Sequence, residues 1–553
     1  MDVGRAQRVI RSGERQRAAT PANGVSRPVR VSAANAPFRG MPRHSGERAA
    51  LPGERREPAR PREQSERAVP RHRRATKVSE RAIPRRSRAA KANAPVRAER
   101  AAKAPREHFP VGHDRIVLNV QIPFSKRTLD NGLDVIVHEH RQLPMVAVNV
   151  WYHVGSKNER PGRTGFAHLF EHLMFEGSEH YDKGFFQPLQ QAGGLLNGST
   201  NPDRTNYWEV VPTGALELAL WMESDRMGYL LPALTREKFE NQRDVVLNER
   251  RQNYENRPYG LAGMAISEAL FARDHPYHWL TIGSADDLRA MQLDEVREFF
   301  ATYYHPGNAS LSLAGDIDAD EGFALAEAYF GSLPAGPRPA PVAAQATLDS
   351  GPRLLLEDRV ELARIYLAWH SPAMFADADA ELDLMADLIS HGKTSRLYRT
   401  LVYEKQIAAD VVAYQHSREI SGVFQIAATA VPGVPLAVLY DEIMATVAAV
   451  ARDGPSNDEL ERARVQTDAQ FVYRIQTIGG FGGKSDQLNA YNVFRGDPGY
   501  FAGDRERYDS ATSAGIAGAV DQWLVKRPHV VLSVVPRGAT DRALPGSVEV
   551  HVS

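Results

Sequence analysis

The chain has 553 residues, enough for two to four domains of roughly 100–200 residues and too many for one small module. Apolar residues make up 42% and charged residues 25%, which excludes wholesale disorder; cysteine is absent, which excludes disulfides, thiolate nucleophiles and Cys-ligated metal sites. The formal net charge of +0 conceals an asymmetry: residues 1–107 hold 28 Arg and Lys against 10 Asp and Glu, a net of +18, and the remainder holds 40 against 58, a net of −18.

Residues 1–110 read as a disordered basic arm. Within 1–107 there are 11 prolines and one aromatic, Phe38, with no sustained helical or strand period, so the segment buries too little surface to offset its ordering entropy. Such an arm is most simply a solvated tail, and its alternative is a polyanion-binding role. No 7–15-residue signal-peptide core and no run of 18 apolar residues is present, so no transmembrane segment is expected. As written the chain is expected in the cytoplasm, or in the periplasm if its start is mis-assigned.

Ordered texture begins near Asp114. Ile116 to Ile122 alternates, Leu133–Val137 follows the turn signal Asp130-Asn-Gly132, and Met145–Tyr152 is a third strand-like run. Helical spacing then covers Phe166–Phe175, Leu216–Tyr229 and Arg236–Asn253, the last opened by Thr235 as an N-cap. A Pro-rich stretch within 333–352 reads as a linker between a first half, 111–332, and a second half, 353–540, followed by a tail, 541–553. The halves look duplicated: Glu139, Arg141 and Trp151 recur as Glu357, Arg359 and Trp369 at an offset of 218, and Leu311-Ser312 recurs as Leu532-Ser533 at 221.

Within the first of those helices stands His168-Leu-Phe-Glu-His172. Residues four apart lie about 40° apart around a helix, so His168 and His172 share a face with Glu171 between them in projection. Two imidazoles supply half of a catalytic zinc site, which needs a third protein ligand and an open position. The flanks Phe166, Leu169, Phe170, Leu173, Met174 and Phe175 are apolar, and polar groups on an apolar helix must be paired or bind something. Gly479-Gly-Phe-Gly-Gly483 lacks phosphate-loop spacing and reads as a turning loop, while His138, His140, His153 and His180 have no ligand partners at useful spacing.

His-x-x-Glu-His is the inverted zinc-peptidase pattern. With it the chain resembles the pitrilysin/insulinase family, whose third ligand is a Glu some 77 residues past the second His; that count lands on Glu249 in Arg243–Arg250. Further resemblances run in order through Asn197–Thr200 with Thr205-Asn-Tyr207, Glu255–Gly260, His275-Pro-Tyr277 and Tyr304–Asn308. The resemblance implies an α+β fold of two homologous sandwich halves, each an antiparallel sheet with helices on one side, as in half-length bacterial processing-peptidase-like members. It implies one Zn2+ per chain on His168, His172 and Glu249, Glu171 as the water-activating base, and an edge strand at Asn197, Gly198, Ser199 and Thr200 to which an extended peptide adds. The implied activity is zinc-dependent endopeptidase action on unfolded or short polypeptides; a non-catalytic scaffold subunit is the alternative.

Two positions depart from the family pattern. Gln242 stands where many members carry a Glu seven residues before the third ligand, which leaves a hydrogen-bonding group beside the site without its charge. In the second half, Val402 and Ala409 stand where fully equipped relatives have an Arg and a Tyr that bind the substrate carbonyl. Neither donates a hydrogen bond, and losing one such donor costs about 10²–10³ in rate. The expectation is therefore a heterodimer with a homologous, zinc-less chain that supplies the Arg and Tyr; a homodimer, or Arg396 and Tyr398 acting in their place, is the competing account.

Overall fold

The computed structural model describes residues 121–552 apart from Pro337; the basic arm and most of the expected first strand, Ile116 to Ile122, lie outside the described residues. Two six-stranded sheets follow one another along the chain. The first is built from β1 Ser125–Thr128, β2 Asp134–Glu139, β3 Met145–Tyr152, β4 Leu195–Thr200, β5 Thr205–Pro212 and β6 Ala309–Gly315, in the order β1-β2-β6-β3-β5-β4. The second contains β7 Arg353–Asp358, β8 Arg364–Ser371, β9 Ala408–His416, β10 Gly422–Ala430, β11 Val530–Pro536 and β12 Val548–Glu549, in the order β12-β7-β11-β8-β10-β9. Pairing is antiparallel except β2 with β6, and β7 with both β11 and β12, so each sheet has a parallel step toward one edge. The orders superimpose, β2 on β7, β6 on β11, β3 on β8, β5 on β10 and β4 on β9, and the duplication is therefore real.

Three helices carry the site or its frame: α1 Phe166–Leu173, α2 Leu216–Ala233 and α3 Arg236–Arg250. α1 and α2 lie on the face of the first sheet that presents Val146, Val148, Val150 and Tyr152. The next helix, α4 Ala262–Leu270, leaves its own half. With Phe271 and Tyr277 it covers the opposite face of the second sheet, against Leu354, Leu356, Tyr366, Ala368 and Leu532. The second half repeats the pattern with α5 Asp379–Ser390, α6 Leu436–Asp453 and α7 Asn457–Arg474, and α8 Lys484–Arg495 makes the return crossing onto the first sheet. There Asn489 donates to the Asn149 carbonyl (2.8 Å), Asn492 donates to Ser310 Oγ (2.9 Å) and Trp151 Nε1 donates to Asp486 (2.8 Å). The exchange explains why Met145–Tyr152 is apolar at almost every position: a central strand with both faces covered has no solvent side.

The register corrects part of the repeat read from the sequence. Trp151 faces the exchanged helix α8, whereas Trp369 lies with Ile365 and Leu367 in the second half's own helix-side core and donates to the Leu524 carbonyl (2.9 Å). Leu311 likewise faces its own helices, and Leu532 faces α4. Both matches are thus one residue out of phase, because successive strand residues point to opposite faces. Glu139 and Glu357 do correspond: each accepts a backbone N–H just past the last long strand of its half, from Ala319 (3.3 Å) and Gly538 (3.0 Å). A second correction concerns the expected tail 541–553. Buried Leu544 anchors it, and Val548-Glu549 adds to the free edge of β7. Among the described residues no helix is long and apolar enough to cross a membrane.

The junction between the halves contains a pH-sensitive contact. His275 and His370 both pack on Phe271, with ring centroids at 4.6 and 4.8 Å. Burial pushes each imidazole down to about 4, helped at His275 by the Arg418 charge and at His370 by His275. A histidine depressed in the native state stabilises fully above its unfolded value near 6.5 and loses that contribution as pH falls through 4. Thermal melts are expected to show stability falling between pH 6.5 and 4 by a few kcal/mol on the order of such shifts. His370→Phe is expected to remove one share of that acid loss, since other buried histidines such as His416 are depressed as well; an unchanged acid profile in the variant would assign the loss elsewhere.

Candidate metal centre

α1 is buried along its whole length, with Phe166, Leu169, Phe170 and Leu173 in the first core. It starts after Gly165, at φ 96°, a left-handed backbone that favours glycine, and a Cβ there would also press on Leu288 Cδ2 at 2.8 Å. A glycine N-cap offers no side-chain acceptor, and the orphan N–H groups of Gly165 and Ala167 donate instead to the carboxylate of Glu159, at 3.0 and 2.9 Å. Burial pushes Glu159 up to about 8, against the pull of these two donors.

α3 supplies the other wall. Thr235 is its N-cap, accepting from Lys238 N at 3.2 Å, and Glu249 sits in the last turn before a π-helical turn at Arg251–Glu255. Glu249 Oε2 lies 3.6 Å from His168 Nε2 and 3.5 Å from His172 Nε2, and the two rings stand perpendicular with centroids 4.9 Å apart. Among the described residues these three are the one group of His, Asp or Glu with ligand atoms converging within 4.8 Å. Burial, with the charge of His172, pushes His168 down to about 4, so its ring is neutral near pH 7. A neutral imidazole lone pair aimed at a carboxylate oxygen is repulsive unless a cation or proton lies between them. His172 Nε2 is buried and has no hydrogen-bond partner among the described residues. Ligands about 2.0–2.2 Å from a tetrahedral ion stand about 3.3–3.6 Å from one another, so the donor set fits zinc in type and spacing.

Glu171 is 1% exposed, and its Oε1 has no hydrogen-bond partner. Burial pushes it up to about 6; the charge of His172 and a hydrogen bond with the Thr200 side chain oppose the shift. Gln242 is buried, but it donates to Glu176 Oε1 (2.6 Å) rather than to a His. An acidic side chain therefore still stands near His172, Glu176, whose carboxyl burial raises against the pull of Lys238 and His172.

Asn197, Gly198, Ser199 and Thr200 form most of β4, the last strand in its sheet, paired on one side with β5. A Cβ at Gly198 would meet Tyr207 and Phe175 at 3.0–3.1 Å. Ser199 is committed internally: its Oγ donates to Asn206, and buried Arg204 donates to its carbonyl (2.8 Å) and Oγ (2.6 Å). The expected strand is thus in place, with Ser199 locked by Arg204. Sequence reading missed Glu159, Glu176 and Arg204. The signal for Glu159 was an N-cap glycine that required an acceptor from elsewhere.

Glu159→Ala is expected to leave two buried N–H groups without an acceptor, at about 1–3 kcal/mol, and to weaken zinc binding through a loosened first turn of α1. Metal titration beside a melting curve checks this; unchanged affinity would make Glu159 a purely structural cap.

The fold and site define a two-half α+β protein with, among the described residues, one candidate metal centre, in its first half. Residues 135–277 match the family description "Insulinase (Peptidase family M16)", and residues 290–467 match "Peptidase M16 inactive domain". The zinc protease PqqE of Helicobacter pylori is 30% identical over 356 residues, 63% of this chain and 80% of that one. A Mycobacterium leprae protein described as an uncharacterized zinc protease is 27% identical over 434 residues, 77% and 95% of the two chains. The crystal structure of a Helicobacter pylori protease shares the fold at TM-score 0.69 and 24% identity, covering 75% of this chain and all of that one. A Pseudomonas fluorescens peptidase M16 inactive domain does so at 0.68 and 19%, covering 76% and 100%. The chain belongs to the insulinase family, peptidase family M16.

Proposed function

We propose that the protein is a zinc-dependent endopeptidase acting on extended, unfolded peptides. The observation that carries this is the meeting of His168 Nε2, His172 Nε2 and Glu249 Oε2 beside a buried Glu171 oxygen without a partner. His168, His172 and Glu249 would hold the ion. A zinc ion bound there supplies Lewis-acid polarisation of a peptide carbonyl and acidifies water. Glu171 accepts the proton of the attacking water and returns it to the leaving amine, two roles suited to a carboxyl raised toward neutrality. The outer edge of β4 receives the substrate as an added strand, and Thr200 orients Glu171 from the same strand.

A homologous zinc-less partner completes the site in this reading. Val402 is half-buried in the π-helical segment Tyr398–Glu404, and Ala409 is exposed on β9. Arg396 makes a bidentate contact to Glu459, at 2.8 and 2.7 Å, and donates to the Gly454 carbonyl, which disfavours its use as a substitute donor. A scaffold role is disfavoured because the three ligands and Glu171 are all present.

Chelation followed by zinc addition tests the reading on an unfolded polypeptide, with the chain alone and with a homologous zinc-less chain added. Cleavage is expected to vanish on chelation and to return with one zinc per chain. Cleavage that survives chelation, or none by zinc-loaded protein under either condition, contradicts it.

A further inference from the structure

The second half has a cleft where the first has its metal centre. Thr235 caps α3 and Ser456 caps α7, and fourteen residues beyond each cap stand Glu249 and Gln470. Thr200, beside Glu171, ends edge strand β4; Gln415 lies at the corresponding end of edge strand β9. Gln470 and Gln415 both line a cleft bounded by α5, α7, α8 and the helix α9 Phe501–Ser510. The pseudo-symmetric position has thus lost its ligand carboxylate and kept its space.

The lining has a definite chemistry. Asp379, Asp383 and Asp504 supply three carboxylates against the guanidiniums of Arg474 and Arg507. Arg507 shows how the cleft takes a guanidinium: it donates to Asp379 (2.9 Å) and Asp504 and lies over the Phe375 ring at 5.1 Å. Burial and the Arg418 charge push His416 down to about 3, so it adds no positive charge near pH 7. Two further polar atoms are buried without hydrogen-bond partners: Gln415 Oε1 and Thr467 Oγ1, on residues 5% and 4% exposed. A carbonyl oxygen left open beside an open hydroxyl, which can also accept, leaves room for a ligand that donates to both. β9 pairs with β10 alone, so its outer edge is free among the described residues to hold an extended chain beside the cleft.

We propose that this cleft is a non-catalytic site for a basic side chain of the peptide substrate, arginine above all, so that the second half anchors a chain also bound in the first. The proposal rests on the peptidase reading and names its substrate class as basic peptides.

The test uses full-length, zinc-loaded Glu171→Gln protein and a labelled unfolded peptide containing several arginines, compared with the same peptide carrying neutral citrulline at those positions. The arginine peptide is expected to bind at least about tenfold more tightly. Thr467→Leu and, independently, Gln470→Leu fill the cleft and reduce its affinity to that of the citrulline peptide, with melting temperatures unchanged in at least one of them. Equal affinities for the two peptides, or an arginine preference that survives in a folded cleft variant, overturns the proposal. Cleavage by wild type is scored separately. Arginine-selective binding without any cleavage supports the cleft and contradicts the peptidase reading, and cleavage without arginine selectivity does the reverse.

Discussion

Glu249→Gln is expected to give a folded protein that fails to retain stoichiometric zinc and shows none of the proposed peptide cleavage. Glu249 contributes the one carboxylate among three proposed ligands, and its oxygen stands 3.5 and 3.6 Å from the two imidazole nitrogens. Gln keeps the size and one carbonyl oxygen but removes the charge that offsets the ion's own. Affinity should fall by more than the roughly 10–100-fold that loss of an outer partner costs. Folding should be little affected: the side chain is 12% exposed, sits in the last turn of α3, and is otherwise met by Asn253 Nδ2 at 3.2 Å. Metal analysis after gel filtration, with a melting curve, checks both halves of the statement. Zinc retained at one per chain would remove Glu249 from the ligand set.

The second large effect concerns the grip of one half on the other. Asp486, at the start of α8, accepts from Trp151 Nε1 (2.8 Å), Asn206 Nδ2 (3.0 Å) and Asn149 Nδ2 (3.3 Å) on the first sheet, and from Gly482 N (2.7 Å). It is 4% exposed, and its charge also acts on buried Arg204, which in turn acts on Glu171. Asp486→Ala strands these donors and leaves Arg204 with less compensating charge. The expected loss is about 3–5 kcal/mol, the range for breaking a buried charged contact. Asp486→Asn, which keeps an acceptor, should lose less. Denaturant unfolding of both variants measures this, and a loss below about 1 kcal/mol for the alanine variant would mean that water or a shifted side chain replaces the carboxylate.

Local chemistry is what the amino-acid order made legible. β3 appears over its full predicted range, the predicted N-cap Thr235 opens α3, and the 77-residue spacing leads to a glutamate that meets both histidines. What escaped was long-range. The reciprocal crossing of α4 and α8 places each half's helix on the other's sheet, and no local period records which sheet a helix covers. For the same reason two of the apparent repeats misled: a one-residue phase error is invisible in a list of matching residue types but reverses the face of a strand. Gln242 illustrates the same limit at short range, since its partner Glu176 lies 66 residues away across the helix pair. The duplicated strand order is clear in three dimensions because sheet topology persists where individual side chains do not.

The central claim is that Glu171 moves the proton in a reaction organised by His168, His172 and Glu249. Glu171→Gln, purified alongside wild type, measures it most directly, with zinc content and single-turnover peptide cleavage read on the same samples and any homologous partner present in both. One zinc per chain in each protein, with the chemical step slowed at least about 10²–10⁴-fold in the variant as for loss of a general base, is the result predicted here. Equal cleavage rates at equal zinc content would contradict it.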